Sequence, residues 1–169
     1  TSITGVSLIN EKGEVLLCDH IDTRKAKSFF EKAELVKQYF KNHKHTQSKV
    51  KEIWVEQSLH TFRSGFSSAQ TLSTLARFNG VVSWIAYKFY SLEPNYIAAS
   101  SARKLSGITI KRGEKAKEKV FKFLLDNEPA FEVEYTKHGN PRPGYYDRAD
   151  SLIIAKAARE LWKQKNLIS

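Results

Sequence analysis

The chain has 169 residues, 41% of them apolar and 12% aromatic, enough to bury a core and incompatible with a disordered or fibrous polymer. Lys and Arg number 28 against 18 Asp and Glu, and the resulting charge of +10 points to a polyanionic partner, either nucleic acid or an anionic membrane. No apolar run approaches the length of a membrane span, no signal peptide is legible, and Cys18 alone excludes an internal disulfide and fits a reducing compartment. With one cysteine and scattered histidines no structural zinc site can be spelled, and aromatics dispersed among charges favour nucleic acid over a membrane surface.

Residues 4–9 and 15–18, around a turn with Gly13, predict a β-hairpin. Ala26, Phe29, Ala33, Val36 and Phe40 recur at helical spacing and predict a helix over 24–42, followed by a polar loop over 42–48. Residues 52–57 predict a short, mostly buried strand ending in Glu56, and 59–68 a Ser/Gly-containing loop. A long helix is expected over 69–90, with Gly80 marking a bend or a close helix approach. Its second half, Val81 to Tyr87, is apolar nearly all round, as in a core or a subunit interface. A strand over 94–99 follows, then a helix over 114–126 with Ala116, Val120, Phe123 and Leu124 inward, an irregular Pro/Gly-rich connection over 128–144, and a final helix over 148–164. With no repeat, low-complexity tract or linker, 1–169 reads as one domain of α/β class.

The chemistry concentrates in Asp147-Arg148-Ala149-Asp150 at the mouth of the last helix. Two carboxylates three residues apart share a helical face about one turn apart, and hard divalent cations such as Mg²⁺ take oxygen ligands of this kind. The same spacing also suits a capping box, in which both charges favour the helix dipole. Glu56, at the end of its strand, is a candidate third carboxylate, since sites in α/β sheets gather at strand ends; a solvated strand terminus explains it as well. Lys104 to Gly107 and the run Lys111, Arg112, Lys115, Lys117 and Lys119 form a cationic segment with glycines at an expected strand-to-helix transition, where backbone N–H groups and lysines can hold phosphates. For most of these lysines a solvated helix face is the simpler account.

The order of these parts resembles the RuvC-type Holliday junction resolvases of the RNase H-like nuclease superfamily. The matching pieces are residues 4–9, Val55-Glu56-Gln57, residues 75–82, residues 102–107 with 116–120, and Asp147-Arg148-Ala149-Asp150 with Ala155. The resemblance runs over nearly the whole chain and implies an RNase H-like mixed sheet flanked by helices. It also implies a crossover-junction endodeoxyribonuclease, with bacterial, phage and organellar relatives equally compatible and a bacterial, phage-infected or organellar-matrix location. Glu56, Asp147 and Asp150 fall on three of the four carboxylates that hold two Mg²⁺ or Mn²⁺ ions in such enzymes, and Lys104 and Lys117 fall on two basic positions that support catalysis. The fourth carboxylate is an Asp ending a first, central strand, expected upstream of Thr1; Asp19 and Asp22 are carried by the hairpin to the far end of their strand. Where the family often has an aromatic three positions after this Glu, the chain has Leu59, with His60, Phe62 and Arg63 nearby. Phe62 either stacks on a base at the opened junction or anchors the core. Branched DNA is the implied partner, contacted by Phe62, Arg63, Lys111, Arg112 and Lys115, with a homodimer supplying paired cuts. The rival readings are an RNase H-like nuclease of other preference and a catalytically inactive nucleic-acid-binding relative.

Overall fold

The computed structural model describes residues 2–57 and 69–167. These form a mixed α/β arrangement in two compact units, one of Ile3–Asp22 with Ala99–Ser169, the other of Thr23–Ala98 with Thr1–Ser2.

In the first unit, β1 (Ile3–Ile9) and β2 (Val15–Asp22) pair antiparallel, from Ile3 opposite Asp22 to Ile9 opposite Val15, as the hairpin pattern predicts. The turn closes through Gly13 N–H to the Asn10 carbonyl at 2.9 Å and Glu14 N–H to Asn10 Oδ1 at 2.9 Å. Gly13 sits at φ +92°, a region that a side chain disfavours, which is why a glycine ends this turn.

Against this hairpin packs the last helix, here called α5 (Tyr145–Leu167), longer at both ends than the sequence predicts. Tyr145, Ala149, Leu152, Ile153, Ile154, Ala157 and Ala158 are buried, a stripe at i, i+4, i+7 and i+8 spacing. α3 (Ala99–Leu105) and α4 (Ala116–Asn127) also pack on α5. α4 buries Val120 and Leu124 as expected, and adds Phe121, whose ring meets Phe131 edge-on at 5.6 Å. Ala116 and Phe123 are half-buried. The connection over 128–144 is irregular, as its prolines and glycines require, apart from one bridge between Tyr135 and Pro141.

In the second unit, β3 (Ile53–Glu56) and β4 (Pro94–Ile97) pair parallel, with Glu56 opposite Ile97. The crossover carries α2 (Ala69–Tyr90), as a parallel pair demands. α1 (Phe29–Asn42) begins later than its apolar periodicity suggests. Ser28 caps it by accepting from Glu31 N–H at 3.1 Å, and Glu31 returns by accepting from Lys27 N–H at 2.6 Å, so the reciprocal cap fixes the start. Val36 and Phe40 are buried there, with Phe40 between Phe89 and Tyr90 of α2.

Two expectations for α2 narrow. A Cβ at Gly80 would meet nothing within 4 Å, so of the two alternatives there the close helix approach is not found among the described residues. Of the core and subunit-interface alternatives for Val81 to Tyr87, the core holds only in part: within this chain Ser83 and Ala86 are inside, while Trp84 is 60% exposed and Tyr87 39%. An apolar sequence marks which residues can be buried, and the neighbours available decide which of them are.

Candidate functional site

α5 starts directly after Gly144, whose φ of +98° lets the chain turn out of the Pro143 segment, and whose carbonyl accepts the Arg148 N–H at 2.9 Å. Asp147 therefore lies inside the first turn, not at the cap. The capping-box reading of Asp147 and Asp150 is thus corrected: Tyr145 and Tyr146 already precede Asp147 in the helix, because burial of Tyr145 and packing of Tyr146 on Phe121 at 4.8 Å extend it backwards. The carboxylates sit one turn apart near the positive end of the helix, where their charge is favoured.

Three features seat this turn on the hairpin. A Cβ at Gly5 would lie 1.9 Å from the Asp147 carbonyl oxygen, so only a glycine lets β1 and α5 approach this closely. The Ser7 and Ser151 hydroxyls are 2.7 Å apart, and Ser151 Oγ also donates to the Arg148 carbonyl at 2.8 Å. Arg148 reaches β2, donating from Nε to His20 Nδ1 at 2.8 Å and from Nη2 to Asp19 Oδ1 at 3.0 Å, with its guanidinium 4.6 Å from the Tyr145 ring centre. Beside it, burial pushes the Cys18 thiol above its ordinary value, with Asp19 and Glu128 adding to the rise against the Ser7 hydrogen bond and the Arg148 charge.

Lys117, on the first turn of α4, places Nζ 3.8 Å from Asp150 Oδ2. The Asp150 side chain is 29% exposed and that of Lys117 65%, so the pair is a screened contact of little stabilising value and remains accessible to a ligand. Lys104 is exposed near the end of α3, a short helix that the sequence reading assigns instead to a strand-to-helix transition. α3 packs on α5, and Ala102 is fully buried there.

Lys111, Arg112 and Lys115 are exposed before α4. Lys115 precedes the helix without capping it through its side chain, so the first-turn N–H groups lack that partner. Much of the cationic run is compensated within itself: Lys115 meets Glu118 at 2.9 Å and Lys119 meets Glu114 at 2.9 Å. The Lys111 N–H and then the Lys119 ammonium hold the Glu114 carboxyl below the usual range, and Glu118 raises Lys115.

Glu56 is exposed at the end of β3, in the other unit, where its carbonyl accepts from Asn79 Nδ2 at 2.6 Å. Phe62 and Arg63, with Leu59 and His60, lie outside the described residues. Among the described residues no three His, Cys, Asp or Glu side chains gather into a group that could hold a metal. Asp147 and Asp150 are two carboxylates one helix turn apart, a partial donor set of the type a hard cation takes. No helix among the described residues is long and apolar enough to cross a membrane.

Sequence reasoning missed Gly5, Ser7, Asp19, His20, Arg148 and Ser151 as the residues that seat the carboxylate turn. Only the small-residue alternation in Gly5-Val6-Ser7 on β1 hinted at a close helix above it. No family model, curated protein or solved structure matches the chain.

Proposed function

We propose that the protein is a metal-dependent, structure-selective DNA endonuclease of RNase H-like fold that cuts four-way junctions by phosphodiester hydrolysis, as a homodimer. The observation that carries this reading is the pair Asp147 and Asp150, one turn apart at the start of α5, with Lys117 Nζ 3.8 Å from Asp150, in a chain of net charge +10. Carboxylates weaken phosphate binding unless a cation lies between, so a cationic protein that fixes two of them together is suited to a bridging metal. The element order supports the fold: an antiparallel hairpin, a parallel βαβ unit, and a closing helix that carries the carboxylates. β1 pairs with β2 alone among the described residues.

In this reading Asp147 and Asp150 are ligands, both carried by the first turns of α5. A bound pair of divalent ions supplies an activated water and a stabilised leaving oxygen. Lys117 lies where it can neutralise charge on the scissile phosphate, and Lys104 adds a second cation. Lys111, Arg112 and Lys115, with the amides of the uncapped α4 start, hold neighbouring phosphates. Two copies would supply the two symmetric cuts that a junction requires.

The test is a labelled four-way junction and a linear duplex of the same sequence, each with Mg²⁺ or EDTA. Junction cutting in Mg²⁺ alone, with the duplex spared, is expected. Equal cutting of both removes junction selectivity and favours a nuclease of other preference; junction binding without cutting favours a binding module.

A further inference from the structure

We infer that Arg148 is a positioning residue for the Asp147–Asp150 turn, acting through Asp19 and His20 of β2; this rests on the metal-dependent reading of that turn. Arg148 lies one residue after Asp147 and two before Asp150. A guanidinium so close in sequence is the natural competitor of a metal ion, because its planar fork pairs with carboxylates in two-pronged fashion. The structure commits it elsewhere. Its Nε and Nη2 donate to His20 Nδ1 and Asp19 Oδ1, and its plane lies over Tyr145. The side chain is only 22% exposed, so this arrangement is packed as well as bonded.

His20 is fixed in turn. A Cβ at Gly144 would lie 2.6 Å from its ring, so the bare glycine at the helix entrance is what admits the imidazole. Because Arg148 Nε can only donate, His20 Nδ1 must accept, which places the ring proton of neutral His20 on Nε2. The chain of contacts runs from Asp19 and His20 on β2, through the guanidinium, to the backbone turn that carries both carboxylates. Arg148 therefore does two things at once. It withdraws its own charge from the metal ligands, and it ties their helix turn to the sheet at a fixed rotation about the helix axis. Outer partners that orient metal ligands are typically worth ~10–100-fold in metal affinity or activity.

The experiment measures Mn²⁺ binding by titration calorimetry and Mg²⁺-dependent junction cutting, with melting temperature read in parallel, for wild type and four variants. Arg148→Ala is expected to weaken Mn²⁺ binding about tenfold and to raise the Mg²⁺ concentration for half-maximal cutting by a like factor. His20→Gln keeps an acceptor for Nε and stays close to wild type. His20→Leu loses the acceptor and follows Arg148→Ala. Asp19→Asn combined with His20→Leu releases the guanidinium and weakens Mn²⁺ binding at least as much as deleting it. A merely structural role would lower the melting temperature of all four variants without moving the metal dependence of the folded fraction. Should Arg148→Ala fail to fold, the two His20 variants decide by their contrast. Unchanged Mn²⁺ affinity in Arg148→Ala, or equal affinity in His20→Gln and His20→Leu, overturns the inference while leaving the nuclease reading in place. A wild type that neither binds Mn²⁺ nor cuts overturns both.

Discussion

The two long helices make an instructive pair. α2 has 22 residues and buries Phe78, Ser83 and Ala86; α5 has 23 and buries seven, from Tyr145 to Ala158. α2 leaves Trp84 and Tyr87 at the surface, their rings 5.8 Å apart, with the Lys88 ammonium 5.6 Å from the Trp84 ring. α5 is clamped by Gly5, Ser7 and the Arg148 contacts just where its carboxylates stand. Similar length and comparable apolar content thus serve different ends. One helix holds its first-turn carboxylates on a fixed platform, and the other leaves large aromatic side chains exposed within the chain.

Substitutions on the two helices break or sharpen this contrast. Asp147→Asn on α5 is expected to reduce junction cutting at least about 1,000-fold, the scale on which losing a group at the reacting atoms is felt. Gel analysis of cleaved strands measures it, and a modest loss would detach α5 from the chemistry. Leu152→Ala, at a fully buried position, is expected to cost ~2–5 kcal/mol in urea unfolding, whereas Leu75→Ala on α2, 40% exposed, costs less than about 1 kcal/mol. Equal costs would erase the platform distinction. Lys117→Ala lowers the cutting rate about tenfold with junction affinity nearly unchanged, since its ammonium lies beside Asp150 but is well solvated. Trp84→Ser changes stability by no more than about 0.5 kcal/mol and weakens self-association in sedimentation.

The smallest effect concerns Cys18. Its thiol is raised by burial, so it stays protonated and reacts slowly with a disulfide reagent at about pH 8, and quickly once unfolded. The folded value lies above the unfolded one, so its contribution to stability is present below the unfolded pKa and fades as pH rises past it. Equal reactivity in folded and unfolded protein would contradict this burial.

Much of this architecture is legible in the sequence because its signals are local. The hairpin around Gly13, α2 over Ala69–Tyr90 and the existence of β3 and β4 follow from turn chemistry and period, while the parallel pairing of β3 with β4 emerges only from the fold. α3 was not legible, because seven residues carry too little periodicity, and α5 starts early for reasons of packing between distant residues. At the site, the spacing of Asp147 and Asp150 is a helical property and reads directly. The partners of Arg148 do not, since Asp19 and His20 stand more than a hundred residues away in sequence and meet it only through the fold. Lys117 beside Asp150 is intermediate: its place on α4 is legible, but the 3.8 Å approach depends on how α4 packs on α5.

The most direct measurement follows a labelled four-way junction with wild type and Asp150→Asn at the same Mg²⁺ concentration, recording bound and cleaved DNA in the same samples. Wild type is expected to bind and cut, with cutting abolished by EDTA, while Asp150→Asn binds and leaves the junction intact. Cutting by Asp150→Asn at the wild-type rate would contradict a metal-bearing role for the start of α5.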